Sequence, residues 1–147
     1  MKNTHFLLAN PESNIKKLFP GTFIGEIDGL KTSSMKDFHE QIGLAMQFPD
    51  YSGKNLDALD EMLNDLEWIK QEKVIIYIKN SADWLSKEKS EEKILNVLDI
   101  FDATAEDWKW MDEEEETARK ELRIIFSDSE RIRTLLEEQE IPFGMVE

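Results

Sequence analysis

The sequence has no cysteine, only two histidines and, near its start, an apolar run of just four residues. Without cysteine there can be no disulfide framework, thiolate zinc site or thiol nucleophile. His5 and His39 are too few for a multi-histidine metal centre. Phe6-Leu7-Leu8-Ala9 is far shorter than a signal-peptide core or a membrane span, so a cytoplasmic chain with no membrane role is expected. Basic residues are also scarce: 18 Lys and Arg face 32 Asp and Glu, for a net charge of −14. Residues 1–22 hold three lysines and one acid, which leaves 31 acids against 15 bases in residues 23–147. Such a body repels nucleic acid and anionic lipid and attracts basic partners, although solubility alone can account for an acidic surface.

What is present reads as alternating strands and helices. The 147 residues suffice for one core, and one domain is expected over 1–147. It divides into an N-terminal extension (1–22), a core (23–126) and a C-terminal helix and tail (127–147). Phe6 to Ala9 suggests a short edge strand, and Ile15 to Leu18 a helical turn. Thr22 to Ile27 predicts a strand closed by the turn Asp28-Gly29. Ser34 with Asp37 resembles a capping box, opening a helix with Met35, Phe38, Ile42 and Met46 inward. Val74 to Ile78 is a continuous β-branched run, as in a strand covered on both faces. A helix follows from about Ser90 to Ala105, with Ile94, Val97, Leu98 and Phe101 inward. Residues 106–121 then carry eight acids and three bases, including the unbroken run Asp112 to Glu116. If extended, this stretch puts Trp108 and Trp110 on one side. Leu122 to Phe126 is another buried-strand pattern, Ser127 to Ser129 cap a last helix, and Phe143 to Val146 suggest a short final strand. The expected fold is α/β: three parallel strands covered by helices, with terminal elements available as extra edge strands.

The most informative segment is residues 48–64. Pro49 and Gly53 mark a turn, and Asn55 is a natural helix N-cap. Leu56, Leu59, Leu63 and Leu66 then form one stripe, while Asp57, Asp60, Glu61 and Asn64 fall opposite. Helix polarity alone favours Asp57 in the first turn, and a solvated acidic face is the commonest use of such residues. The neighbouring Tyr51, Gly53 and Asn55 add an aromatic, a flexible turn and an amide, which together resemble half of a protein–protein hot spot. A metal site on Asp57, Asp60, Glu61 and Asp65 is disfavoured, because one helix spreads its carboxylates over an arc and no calcium loop is present. The chain shows no nucleophile with an adjacent base and no phosphate-cradling glycine loop, so no enzyme activity, cofactor or metal is expected. His39, beside Phe38 and Ile42, reads as a packing histidine.

Pro49-Asp50-Tyr51-Ser52-Gly53-Lys54-Asn55-Leu56-Asp57-Ala58-Leu59 resembles the Pro-acid-Tyr-Tyr-Gly-x-Asn-Leu-Asp-Ala-Leu segment of the barstar family of ribonuclease inhibitors. Ile27-Asp28-Gly29, Asp37-Phe38-His39, Val97 to Phe101 and Leu122 to Phe126 resemble further family segments. The resemblance implies an intracellular immunity protein that plugs the basic active site of a toxin nuclease, a ribonuclease in the first instance. It implies that Tyr51, Gly53, Asn55 and Asp57 form the inhibitory motif, with Glu61 where the family has a second key Asp. Asp60 replaces an aromatic, and Ala103 falls where the fourth helix should supply an acid. Asp107, one turn further on, can supply it instead. The expected partner surface is therefore Tyr51, Gly53, Asn55, Asp57, Asp60, Glu61 and Asp107, on a monomer that binds no nucleic acid itself. An acidic regulatory module without a nuclease target is the alternative.

Overall fold

The computed structural model describes residues 5–50, 53–110 and 120–146. Among them are five strands: β1 (Phe6–Ala9), β2 (Phe23–Asp28), β3 (Lys73–Lys79), β4 (Glu121–Ser127) and β5 (Phe143–Met145). The helices are α1 (Ile15–Leu18), α2 (Met35–Ala45), α3 (Leu56–Asp65), α4 (Glu91–Lys109) and α5 (Glu130–Glu138). All the strands pair in parallel, in the order β2-β3-β4-β1-β5.

The expectation of three strands with edge additions is corrected: the sheet has five, and β1 is an inner strand between β4 and β5. The reason is that both backbone rims of β1 are paired, one with β4 and the other with β5, while Phe6, Leu8 and Ala9 are buried. The Asp128 N–H donates to the Ala9 carbonyl and the Val146 N–H to the Leu8 carbonyl, holding β1 from both flanks. α5 then carries the chain past β1, and β5 becomes the outer strand on that side.

Alternation along the strands divides the interior in two. On one face Phe6, Leu8, Ile27, Val74, Ile76, Ile78, Leu122, Ile124 and Phe126 meet the apolar stripes of α2, α3, α4 and α5. On the other, Ala9, Ile75, Tyr77 and Ile125 pack under Ile15 of α1, with Phe19 beside them. β3 is thus buried on both sides, as its unbroken apolar run implied.

Gly29 explains why β2 closes where it does. A Cβ there would overlap the backbone carbonyl of Asn80, so only glycine lets the ends of β2 and β3 approach this closely. Asp28 stabilises the same corner by accepting from the Leu30 N–H at 2.9 Å and from the Asn80 amide at 2.8 Å. Burial acts to raise the Asp28 carboxyl, but those hydrogen bonds together with the charges of Lys79 and Lys31 outweigh it and hold the group below the usual carboxylate range. No helix among the described residues is long and apolar enough to cross a membrane.

Candidate partner-binding surface

α3 begins as its sequence dictates. The Asn55 side chain accepts from the Ala58 N–H at 2.8 Å, satisfying one of the otherwise unpaired donors of the first turn. Leu59, Met62 and Leu63 are buried against the core, which fixes the rotation of the helix. The helix stops at Leu66, a buried residue in left-handed backbone whose N–H returns to the Met62 carbonyl. With the apolar stripe anchored, Asp57, Asp60, Glu61 and Asn64 are all exposed. The Asn64 amide donates to the Asp60 carbonyl oxygen at 2.8 Å and to its carboxylate at 3.0 Å, steadying that side chain within the helix. Gly53 and Asn55 are also exposed, just ahead of the first turn. Tyr51, expected as the aromatic anchor, and the acidic run Asp112 to Glu116 lie outside the described residues.

The loop before α3 is braced from below. Phe48 N–H donates to the Gly43 carbonyl at 2.8 Å, turning the chain back beside α2, and the Phe48 ring meets Trp68 edge-on. Trp68 in turn donates its indole N–H to the Met46 carbonyl at 2.9 Å. Lys54 lies 4.0 Å from Glu40 of α2, an exposed pair that orients the loop more than it stabilises it. After α3, Lys120 is buried and its Nζ donates to the carbonyls of Ile69 (2.6 Å) and Gln71 (2.9 Å). Burial holds this ammonium below its ordinary pKa, while Glu72 opposes the shift.

α4 packs beside α3 on the same face of the sheet. It runs one turn beyond the Ala105 end expected from sequence, because Trp108 is buried and donates its indole N–H to the Leu63 carbonyl of α3 at 2.8 Å. The stretch through Lys109 is consequently helical, not extended. Trp108 and Trp110 therefore diverge by about 200° and do not share a side, the first being 1% and the second 72% exposed. Asp107 is exposed, immediately before the residue that locks α4 to α3. Ala103 is exposed and supplies no acid.

The arrangement sets exposed carboxylates on rigid helices whose solvent faces both point away from the sheet. It suits a surface of Arg, Lys or His⁺, where bidentate and charge-assisted pairs are strong. Among the described residues, no group of three or more His, Asp and Glu is gathered closely enough to hold a metal ion. His39 is half-buried against Phe38, and burial pushes its pKa below the ordinary 6.5. An open cleft of about 330 Å³ between Glu12, Lys16, Ile24, Glu26 and Tyr77 lies on the opposite face of the sheet, under α1.

Comparison with known proteins agrees with this architecture. The ORC2 protein of Aeropyrum pernix, solved in ADPNP–ADP complexes, is similar over 99% of this chain with a TM-score of 0.54 at 10% identity. This chain spans about two fifths of that protein's (41%), and the likeness shows the fold alone. A search of the curated proteins finds no match. The profile of the family described as Barstar (barnase inhibitor) matches residues 22–127, from the start of β2 through the end of β4 and including α3 and α4. The chain therefore belongs to the barstar family.

Proposed function

We propose that this chain is a cytoplasmic immunity protein that blocks the basic active site of a toxin nuclease, a ribonuclease in the first instance. Residues 49–55 and the outer face of α3 form the plug. Asp57 and Glu61 pair with Arg, Lys or His of the toxin, Asp60 adds charge, and Asp107 extends the acidic surface onto α4. Tyr51 anchors the contact, and Gly53 and Asn55 shape the loop. The protein itself has no catalytic role, and it acts as a monomer. The observation that carries this reading is the division of α3, in which a buried apolar stripe fixes the direction of exposed carboxylates. Such a row, set on a helix, forfeits little backbone freedom on binding, and its charge raises the rate of encounter with a cationic cleft.

The role is tested by capturing partners of the full chain from its native cell and assaying the captured fraction on RNA. The reading expects a basic ribonuclease, inactive while bound and active once high salt displaces the inhibitor. A captured fraction without nuclease, or a nuclease indifferent to this chain, would favour an acidic regulatory module instead.

A further inference from the structure

Trp110 is the odd member of the four tryptophans. Trp84 and Trp108 are buried and Trp68 is half-buried, whereas Trp110 stands in solvent at the end of α4. It is nevertheless held. Its indole N–H donates to Glu106 at 2.5 Å, and the other carboxylate oxygen of Glu106 is 2.5 Å from His5 Nε2. The hydrogen bond to His5, followed by that from Trp110, keeps the Glu106 carboxyl below its usual range, so the acceptor is ionised at neutral pH. The Lys109 ammonium sits 5.0 Å from the centre of the Trp110 ring, within cation–π range. Exposed apolar side chains scattered singly need no explanation, but a large ring fixed through its one polar atom has already lost the freedom that binding would otherwise remove.

Its surroundings define what would cover it. Asp107, three residues earlier, is its neighbour on the helix surface. Trp108 ties this turn to α3, and α3 and α4 turn their outer faces the same way from one side of the sheet. We infer that Trp110 is a pre-positioned anchor for the same basic partner that α3 engages, stacking against an arginine or lysine of that protein beside Asp107. This rests on the proposed inhibitor role and extends its footprint across α4. The chemistry matches on both sides: a cationic partner satisfies the carboxylates, and its cation can take the place of Lys109 at the ring. Tryptophan so placed is the residue type most often found as an energetic centre of interfaces.

The experiment places p-benzoylphenylalanine in the full chain at one position at a time, Asp60 or Trp110, and irradiates native cells. The captured protein is then purified and its dissociation followed from wild type, Asp57→Ala and Trp110→Ala. The inference expects both positions to capture one basic nuclease. Trp110→Ala should speed its release at least about thirtyfold, the lower bound for an anchor residue, with circular dichroism and Tm unchanged. Glu106→Gln, which keeps an acceptor oxygen for the indole, should cost only a few-fold. If position 60 captures the nuclease while position 110 does not, or if Trp110→Ala releases it at the wild-type rate while Asp57→Ala does not, the anchor is disproved and the inhibitor role stands. If neither position captures a nuclease, the inhibitor role fails and the anchor with it.

Discussion

The inner and outer sides of the α3–α4 pair follow opposite rules. Inward, Leu59, Leu63, Phe101 and Trp108 are almost wholly buried, and the polar atom of Trp108 is paired across the helices. Outward, Asp57, Asp60, Glu61 and Asp107 face solvent, and only Asp60 accepts a side-chain hydrogen bond from a described neighbour. Like charges crowded on one surface aid solubility but weaken a compact chain slightly, and that repulsion is relieved when an opposite charge arrives. On the proposed function, the contrast separates two kinds of residue: those whose loss should be read in stability, and those whose loss should be read in binding.

The sharpest way to break that contrast is from the inside. Trp108→Ala should cost about 3–5 kcal/mol of stability, through the cavity and the unpaired Leu63 carbonyl, seen as a lower denaturant midpoint. A variant as stable as wild type would mean that α4 is not locked to α3 through this ring. Lys120→Met should cost about 1–3 kcal/mol, because two carbonyls after α3 lose a charged donor. Affinity for the partner, measured on the folded fraction, should be unaffected; a loss of affinity at full stability would move Lys120 to the binding side.

The smallest effect is in pH. Burial lowers the His39 pKa below 6.5, so under mild acid the unfolded chain takes up a proton before the folded one does. Stability is therefore complete above about pH 6.5 and falls as pH drops toward the folded value. His39→Gln should remove that part of the slope in chemical denaturation between neutral and mildly acidic pH. Asp102, whose carboxyl burial pushes up despite His5, works in the opposite direction at lower pH and should remain visible in the variant. An unchanged slope would show that His39 is hydrated in the fold.

Local signals made α3 legible in advance: Asn55 could only cap, and the leucine spacing left one direction for the acids. β3 was equally plain, because five consecutive apolar residues leave no wet face. Longer-range facts were not legible. Phe6 to Ala9 has no local feature to choose an inner place over an edge; the choice came from pairing with β4 and β5, more than a hundred residues away. The apolar pattern of α4 carries it to about Ala105, and one buried tryptophan was enough to continue the helix to Lys109. The different fates of Trp108 and Trp110 follow from that single turn. Of the expected contact residues, Gly53, Asn55, Asp57, Asp60, Glu61 and Asp107 are exposed, with Asp107 carried on α4 and the others in and ahead of α3.

The most direct test measures stability and inhibition together for Asp57→Ala. Removing this first-turn acid should change folding stability by no more than about 1 kcal/mol, the scale of its interaction with the helix dipole. Inhibition of the captured ribonuclease should weaken by about 2–5 kcal/mol, at least thirtyfold in Ki, a range seen for such charge pairs with the barnase–barstar complex among them. A variant that keeps its Tm and loses inhibition is the predicted result. Equal inhibition by wild type and variant, or a loss that merely follows unfolding, would contradict the account.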